Sequence, residues 1–577
     1  TSTMENVTIK INDRKYKAKK GEPVLQVALR NNIDIPHLCF HEDLPIKANC
    51  RTCLVEVKSE GKYKNCVVAS CTLRAEEGLE VEVNSEQAEK LRKKNLELIL
   101  AGYPDLCSSC HQKYGGQVQK LIDKYDLQPS QQTAKVDDKV QQLGTAAEFD
   151  PQACIACRSC IDICKEIGIG FLELTGRGAK TRITYNKDPA VDCIYCGQCT
   201  LHCPVGAIRE QCHLEEVEKA LQDPKKITIA QMAPSVRASI GEAFDQPYGK
   251  DLSPQMFTAF RKLGFDYVFD VNMGADITTM VEAQELVERL QGESSLPLPM
   301  FTSCCPAWVK FVEFYQPEMI PHLTTSRSPQ IHSGAAYKTW WAEQEEIDPK
   351  NIVVVSFMPC TSKKYEANHE KLTIDGLKPV DYVLTTRETE GLLKKHELDL
   401  PNLEPGKVDR AGTYSGAAAI YGASGGVMES ALRTAAYMLT GKNLPKLEFK
   451  QVRGSRGIKK SEIEINGRTL RVAVVSTPKN ARIILEEIRK NPEAYHYVEF
   501  MACPGGCIGG GGQPIPSTKA IVEKRIAGLY QIDDHMKLRL AHENEVVQEF
   551  LQYIEQLPKA RQEELLHTHY RKREKFE

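Results

Sequence analysis

Alternating polar and hydrophobic residues open the chain. The segment ENVTIKINDRKYKAKK predicts two short strands that meet at a turn around Asn12 and Asp13, and GEPVLQVALRNN predicts a helix after them. A charged helical stretch follows from Glu86 to Leu100. This pattern predicts a small strand-rich domain near the N-terminus.

From about residue 225 the pattern changes to apolar strands that alternate with helices. The runs KITIAQMA, NIVVVSFMP, RVAVVS and YHYVEFMA predict buried strands in α/β layers. Several cysteines lie at or just past the ends of such runs, where open α/β sheets hold ligands. Residues 126–150 are polar and rich in Gln, which is typical of a linker.

Length and charge limit the classes of protein to consider. A chain of 577 residues predicts three to five domains, and its net charge of −2 disfavours nucleic acid or an anionic membrane as a partner. Because no stretch approaches about 18 consecutive apolar residues, we expect a soluble, cytoplasmic protein. The 21 cysteines then favour metal ligation over disulfides.

Two cysteine runs, CIACRSCIDIC and CIYCGQCTLHCP, repeat one small motif. Their spacing is that of bacterial two-cluster proteins, in which three cysteines of one run and the fourth of the other bind each [4Fe–4S] cluster. A zinc site would use two cysteine pairs without a third cysteine. We predict one cluster at Cys154, Cys157, Cys160 and Cys203, and another at Cys193, Cys196, Cys199 and Cys164.

The segment HLCFHEDLPIKANCRTCLVEV resembles the plant-type [2Fe–2S] ferredoxin module found at the head of complex I large subunits and many hydrogenases. Cys39, Cys50 and Cys53 match three ligands of that module. The fourth ligand is either Cys66 or Cys71, and the match of ASCTLRAEEGLEV to the segment after the last ligand favours Cys71.

The next segment, AGYPDLCSSCHQKYGG, departs from that family, which usually supplies one His and three Cys to another [4Fe–4S] cluster. Cys107 and Cys110 are present, but Tyr103 and Gly116 stand at the His and last Cys positions. Two thiolates do not satisfy a cluster that needs four ligands unless others, such as His111 or Cys66, are supplied from elsewhere. We expect this additional cluster to be missing or replaced, which leaves electrons a longer gap between the [2Fe–2S] head and the ferredoxin-like pair unless a partner bridges it.

Three motifs in the second half carry a more specific resemblance. FTSCCPAW contains Cys304 and Cys305, FMPCTSKK contains Cys360, and FMACPGGCIGGGGQP contains Cys503 and Cys507. Together they resemble the signature segments of [FeFe]-hydrogenases, and the resemblance continues through PSVRASIGEAF, YSGAAAIYGASGGVMESALR and ELLHTHY. The chain is similar to the catalytic subunit of clostridial-type, multi-cluster members.

This resemblance implies an H-cluster, a [4Fe–4S] part joined to a diiron unit with CO, CN⁻ and azadithiolate. The implied ligands of the [4Fe–4S] part are Cys305, Cys360, Cys503 and Cys507, the last of which also bridges to the diiron unit. The glycine-rich run after Cys507 fits, because a bulky cofactor needs backbone without Cβ atoms. Cys304 remains as a free thiol to pass protons, and an ordinary thiol pKa of about 8.5 is near enough to neutral for that exchange.

The segment MVEAQELVERL is expected to continue the proton route. Glu282 and Glu285 lie three apart on one helical face, and Arg289 lies one turn beyond Glu285. By the resemblance they match a relay that includes a hydroxyl residue, here Thr324 where the family usually has Ser. A solvated helix face is the ordinary alternative for two glutamates at this spacing.

Other residues match the surroundings of the cofactor in that family. Lys363 matches a lysine that donates a hydrogen bond to one cyanide, and an ammonium suits a buried anionic ligand. The remaining matches are Ala233, Pro234 and Ser235 at the other cyanide, with Met358 and Met501 as an apolar wall. For the methionines, ordinary core packing is an equally good explanation.

These observations predict a multidomain α/β protein. We expect a β-grasp [2Fe–2S] ferredoxin-like domain at residues 4–83 and a small linker domain, the degenerate His/Cys cluster region, at 84–145. A two-[4Fe–4S] ferredoxin-like domain at 146–212 and a large α/β H-cluster catalytic domain at 213–577 complete the chain.

The function implied by the resemblance is reversible H₂ oxidation and proton reduction. The accessory clusters would pass electrons to ferredoxin or to a partner subunit coupled to NAD(P)H or formate, and maturases would install the diiron unit. The alternatives are a non-catalytic assembly protein or an H₂ sensor of the same family, and a complex I-type subunit that explains only about the first 210 residues. The presence of Cys304 and the two glutamates disfavours the first, because an assembly scaffold needs no proton relay.

Overall fold

The computed structural model describes residues 5–100, 117–127, 139–177 and 181–576. Cys107 and Cys110, with Tyr103 and Gly116, lie outside these residues, so the prediction of a missing cluster stays a prediction. Within the described parts of the chain, no helix is both long and apolar enough to cross a lipid bilayer.

The N-terminal unit is a five-stranded sheet that carries one packed helix. Its first hairpin turns at Asn12 and Asp13, whose φ values of 47° and 66° are those of a tight hairpin turn that these residue types tolerate. The strand order is β2-β1-β5-β3-β4. The elements are β1 Asn6–Ile11, β2 Arg14–Lys19, α1 Val24–Arg30, β3 Leu54–Val57, β4 Val67–Ala69 and β5 Glu80–Glu82.

The middle of the chain contains the cysteine repeat, and its symmetry is visible in the backbone. Arg158 and Gly197, which precede equivalent helices, both have a φ of 69°. The elements are α2 Glu86–Leu100, α3 Gln117–Tyr125, β6 Gln141–Leu143, β7 Ala147–Phe149, α4 Ser159–Glu166, β8 Leu172–Thr175, β9 Arg182–Tyr185, α5 Gln198–Leu201 and β10 Ile208–Glu210. Because β6 pairs with β7 and β7 with β10, this sheet begins before the predicted boundary at residue 146.

The remainder forms two sheets covered by helices. The strands are β11 Ile227–Met232, β12 Tyr267–Asp270, β13 Met300–Phe301, β14 Ile352–Met358, β15 Tyr382–Thr385, β16 Ile458–Ile465, β17 Arg468–Ser476 and β18 Tyr497–Met501. The first sheet, β12-β11-β14-β15, is parallel throughout. In the second, β13-β18-β17-β16, the pairing of β16 with β17 is antiparallel and the others are parallel.

Fifteen labelled helices surround these sheets or pack on one another within the described residues. They are α6 Leu214–Gln222, α7 Pro234–Arg237, α8 Ser253–Leu263, α9 Val271–Gln291, α10 Pro306–Tyr315, α11 Pro329–Ala336, α12 Ala342–Gln344, α13 Ser362–Ala367, α14 Thr386–Lys395, α15 Gly416–Ala419, α16 Gly426–Thr440, α17 Pro478–Lys490, α18 Lys519–His535, α19 Glu545–Glu555 and α20 Lys559–Leu566.

The long helix α9 runs through the interior of this region. It begins at Asp270, whose carboxylate accepts a hydrogen bond from the Asn272 amide at 2.9 Å, and it ends at Gly292 with a φ of 76°. A Cβ at Gly274 would lie 2.0 Å from the Pro329 carbonyl oxygen, so glycine allows α9 and α11 to cross at close range. The close packing keeps the inner residues of α9 away from water.

Candidate active site

The described cysteines of the N-terminal unit include two close pairs and one exposed thiol. The Cys39 amide donates to the Cys50 sulfur at 3.5 Å, and the Cys50 amide donates to the Cys39 sulfur at 3.4 Å. Cys53 and Cys71 are buried and hydrogen-bonded to each other, whereas Cys66 is exposed. The geometry therefore favours Cys71 over Cys66 as the fourth member of this group.

The eight cysteines of the repeat fall into the two predicted groups. In each group, burial raises the pKa of three thiols from one run, and the nearby thiol of the other run raises it further. All four cysteines of the second group line one apolar cavity. The groups are Cys154, Cys157 and Cys160 with Cys203, and Cys193, Cys196 and Cys199 with Cys164.

The spacing of these sulfurs suits clusters better than single ions. Among the described residues, no three His, Cys, Asp or Glu side chains come close enough together to hold one metal ion. A zinc ion would need every sulfur at about 2.3 Å from one point. A [4Fe–4S] cube instead places each thiolate at a separate iron, so the donor sets fit the predicted clusters.

The loop of the predicted [2Fe–2S] site rests on the first cysteine run. The backbone N–H of Asn49 donates to the Cys39 sulfur at 3.3 Å, while its side-chain amide donates to the Ile155 carbonyl at 3.1 Å. The Lys47 ammonium lies 2.9 Å from the Asp162 carboxylate. The expected longer gap between the two units is therefore wrong, because Asn49 contacts both.

Four further cysteines meet where strands of the two C-terminal sheets end. Cys305 follows β13, Cys360 follows β14, and Cys503 and Cys507 follow β18. Burial raises the pKa of these thiols, and their mutual proximity raises it further for Cys360, Cys503 and Cys507. The prediction that strand ends gather the ligands is consistent with this arrangement.

A buried hydroxyl and a closely packed glycine lie near these thiols, and the hydroxyl suits an anionic ligand of a cofactor. The Ser235 hydroxyl is buried without a hydrogen-bond partner among the described residues. A Cβ at Gly510 would lie 2.3 Å from the Pro359 carbonyl oxygen, so the loop after Cys507 needs glycine there. The other predicted contacts lie at the ends of β11, β14 and β18 and are the buried residues Ala233, Pro234, Met358 and Met501.

Cys304 adjoins the group of four and differs from the expectation of an ordinary thiol. Burial, followed by the nearby Glu282 and Cys507, raises the pKa of Cys304 well above its usual value, so it keeps its proton at neutral pH. The Lys363 ammonium donates to the Cys304 carbonyl at 3.0 Å and to the Glu366 carboxylate at 2.8 Å. Since an ammonium has three N–H groups, one remains for a cofactor ligand.

The predicted relay residues lie together around α9. Glu282 and Glu285 are 0% and 7% exposed, so the alternative of a solvated helix face is wrong. The Thr324 hydroxyl donates to Glu285 at 2.7 Å, and Arg289 forms an ion pair with the same carboxylate. Tyr497 donates to Glu282 at 2.5 Å. Burial raises the pKa of Glu282 to about 8.

Two residues that sequence reasoning missed, Thr325 and His567, extend the hydrogen bonds around Glu285. The Thr325 hydroxyl donates to Glu285 at 3.0 Å and lies 2.8 Å from His567 Nδ1. His567 is held by a bridge between its backbone and that of Ser326, and the Thr568 amide donates to the Thr325 carbonyl at 2.7 Å. The segment ELLHTHY is one of those that resemble the hydrogenase family. Nothing in the sequence, however, relates His567 to a threonine 242 residues away.

The loops of the four-cysteine group and of the repeat are in direct contact. The Cys503 sulfur lies 4.0 Å from the Cys196 carbonyl oxygen. The buried Arg387 guanidinium bridges the two segments, since it donates to the Gly511 carbonyl at 2.8 Å and to the Thr200 hydroxyl of the repeat at 3.0 Å. Sequence reasoning did not single out Arg387, because no local motif surrounds it.

Comparisons with known proteins identify the family to which this chain belongs. Residues 226–511 match the family described as "Iron only hydrogenase large subunit, C-terminal domain". Iron hydrogenase 1 of Clostridium pasteurianum is 38% identical over 98% of this chain and 100% of its own length. The chain belongs to the iron-only hydrogenase family.

Other segments of this hydrogenase match the remaining parts of the family. Residues 4–86 match a 2Fe-2S iron-sulfur cluster binding domain, 131–207 a 4Fe-4S dicluster domain and 519–573 the iron hydrogenase small subunit. These matches confirm the predicted multidomain α/β fold class and the predicted [2Fe–2S], [4Fe–4S] and H-cluster cofactors. Sequence reasoning did not separate the small-subunit segment from the catalytic domain.

Further relatives of this hydrogenase differ in the share of the chain that they match. The NADP-reducing hydrogenase subunit HndD of Solidesulfovibrio fructosivorans is 36% identical over 99% of this chain and 100% of its own length. A solved structure of apo [FeFe]-hydrogenase HydA1 from Chlamydomonas reinhardtii is 37% identical, covers 63% of this chain and 99% of its own, and superposes with a TM-score of 0.57. Cytosolic iron-sulfur assembly component 3 of Pongo abelii is 32% identical over 59% of this chain and 75% of its own length.

Proposed function

We propose that this chain interconverts H₂ with protons and electrons in both directions. The observation that carries the proposal is a buried group of four thiols with a fifth, Cys304, close both to that group and to the buried carboxyl group of Glu282. When bound, the H-cluster supplies the metal site at which the H–H bond is broken or formed. The residues proposed to hold it are Cys305, Cys360, Cys503 and Cys507, with Ser235 and Lys363 as hydrogen-bond donors.

The protein's own task in this reaction is to move protons between the buried site and water. Cys304 stores a proton because burial raises its pKa. Glu282, with a pKa of about 8, exchanges protons readily near neutral pH. Thr324 then connects the route to Glu285, where its hydroxyl donates at 2.7 Å.

Beyond Glu285 we propose that protons reach water through Thr325 and His567. The Thr325 hydroxyl donates to Glu285 and lies 2.8 Å from an imidazole nitrogen of His567, which is half-buried. An imidazole accepts a proton at one nitrogen while it donates from the other. Arg289, which was expected to be part of the relay, is a guanidinium that does not release its proton, so we propose that it positions Glu285.

We propose that electrons leave the catalytic group on a different side from the protons, through the cysteine repeat. The contact between the Cys503 sulfur and the Cys196 carbonyl at 4.0 Å adjoins the proposed second [4Fe–4S] site of the repeat. Asn49, which contacts both Cys39 and Ile155, adjoins the first run and the proposed [2Fe–2S] site. We propose an electron route along these contacts, from the catalytic group through the repeat to the N-terminal unit.

The family match supports H₂ as substrate and other subunits as partners. We propose that electrons are exchanged with a partner subunit coupled to NAD(P)H or formate, or with ferredoxin, and that the protein is cytoplasmic and depends on maturases for its diiron unit. A full-length relative named as a subunit of an NADP-reducing hydrogenase supports the first of these partners. Purification of untagged protein from its native host would test it, and a single band would exclude the stable complex.

The proposed activity is tested with the matured full chain. We expect H₂ uptake with an oxidised viologen dye, H₂ evolution with the reduced dye, and infrared bands of CO and CN⁻. Those bands without turnover would overturn the catalytic proposal and favour an H₂ sensor, whereas iron-sulfur clusters without the bands would favour a role like that named for the cytosolic iron-sulfur assembly relatives. A Cys304→Ser variant with unchanged iron content is the matched control, since it alters the proposed proton donor alone.

A further inference from the structure

A buried tyrosine holds one oxygen of the Glu282 carboxyl group. Tyr497 begins β18, is fully buried, and donates its hydroxyl hydrogen to Glu282 Oε1 at 2.5 Å. Glu282 Oε2 is also buried, but no described residue forms a hydrogen bond with it. The two oxygens of one carboxyl group therefore have different surroundings, and the proton of the neutral acid is left to Oε2.

Several elements contribute charged or titratable groups near this carboxyl. They are Glu285 and Arg289 on α9, Tyr497 and Glu499 on β18, Cys304 before α10, and Tyr421 after α15. Burial is the largest influence and raises the pKa of Glu282, while the Tyr497 hydrogen bond is the largest influence that lowers it. Tyr497 remains a donor, because burial raises its own pKa well above the usual value.

We propose that Tyr497 is a positioning residue of the proton relay, which fixes Glu282 Oε1 and leaves Oε2 as the atom that exchanges protons. The proposal rests on the proposed function. In the exchange, a proton from the buried site binds Glu282 Oε2, and Glu282 later releases the same proton towards Thr324 and Glu285. Tyr497 keeps its own proton throughout, so the number of protons is conserved at each step.

The chain offers a matched control on the same helix. Tyr421 is also buried, and its hydroxyl lies 2.8 Å from the Thr279 hydroxyl, about one turn of α9 before Glu282. Tyr421→Phe therefore removes a phenolic hydroxyl beside α9 without removing a hydrogen bond to the relay carboxylate. Tyr497→Phe removes the hydrogen bond itself and keeps the aromatic ring.

The first measurement is independent of turnover. The carboxylic C=O stretch of Glu282 is followed by infrared spectroscopy over pH in the full-length protein and is assigned by its loss in Glu282→Gln. In Tyr497→Phe we expect the titration midpoint to rise by about one pH unit and the band to move to higher frequency, because a hydrogen bond to the charged form is lost. Tyr421→Phe is expected to leave the midpoint and frequency in place.

The second measurement is the pH profile of H₂ oxidation by the matured enzyme. In Tyr497→Phe, the apparent pKa of Glu282 in this profile should shift to higher pH by the same amount as the infrared midpoint. We also expect kcat to fall about tenfold. An unmoved midpoint in Tyr497→Phe, or an equal shift in Tyr421→Phe, would overturn the proposal. An infrared shift in a protein without H₂ turnover would leave the positioning of Glu282 intact and refute the proposed function.

A further substitution covers the case in which Tyr497→Phe fails to fold, as judged by circular dichroism and iron content. Replacement of Tyr497 by 3-fluorotyrosine retains the hydroxyl at nearly the same volume and makes it a stronger donor. The Glu282 midpoint should then move downward, opposite to the effect of Tyr497→Phe. A midpoint that stays in place in this variant would likewise overturn the proposal.

Discussion

We expect the folded parent protein to lose stability as pH rises because Glu282 ionises. The variant Glu282→Gln, which cannot ionise there, should not show this loss. Burial raises the pKa of Glu282 from 4.5 to about 8, so the folded state binds this proton more tightly than the unfolded state does. The stabilising effect is therefore complete below about pH 4.5 and is lost as pH rises through about 8. At 1.36 kcal/mol per pH unit, the loss amounts to about 5 kcal/mol.

Thermal unfolding of parent and variant between pH 5 and pH 9 measures this loss. An unfolding entropy of about 2.1 cal/mol/K per residue over roughly 365 residues of the catalytic domain converts 5 kcal/mol into about 6 °C. We expect the variant to melt about 6 °C above the parent at pH 9 and within about 1 °C of it at pH 5. Both proteins are scanned at one rate, so that cluster loss affects them equally.

The control for this experiment is Glu288→Gln, which makes the same chemical change on the half-buried side of α9. It reports any effect of exchanging a carboxylate for an amide on this helix. A difference between Glu282→Gln and the parent that is the same at pH 5 and pH 9 would refute the reasoning, because it would show that Glu282 has similar proton affinity in the folded and unfolded states.

Further changes test other parts of the site. Cys304→Ala should lower H₂ turnover at least about 100-fold with iron content unchanged, and full activity would contradict its role in proton transfer. Thr324→Val should lower turnover about tenfold and Thr324→Ser should restore it, so equal rates in dye assays would exclude the hydroxyl. Cys71→Ser should abolish the electron paramagnetic resonance signal of the reduced [2Fe–2S] cluster and Cys66→Ser should keep it, whereas the reverse would reassign the ligand. His567→Phe should slow turnover, with recovery on addition of imidazole; no recovery would argue for a structural role.

Features confined to one loop or one helix could be predicted from the sequence, and contacts between distant segments could not. The spacing of Glu282 and Glu285 was enough to place both on one helical face. Tyr497 lies 215 residues from Glu282, and no periodicity relates the two. Asn49 and Ile155, 106 residues apart, are likewise hydrogen-bonded. Local motifs did not predict this contact between the [2Fe–2S] unit and the cysteine repeat. The pKa of Cys304 depends on burial, which arises only when the fold is assembled.

We propose that the adjacent cysteines 304 and 305 separate proton transfer from electron transfer at one strand end. Cys305 has extended backbone angles, φ −96° and ψ 108°, and successive side chains of extended backbone point to opposite sides. Burial raises the pKa of both thiols; the nearby Glu282 carboxyl raises that of Cys304 further, whereas hydrogen bonds from the backbone amides of Ala502 and Trp308 lower that of Cys305. Two thiols one residue apart thus face different partners. Protons are therefore expected to leave along α9, and electrons through the contact of Cys503 with the cysteine repeat.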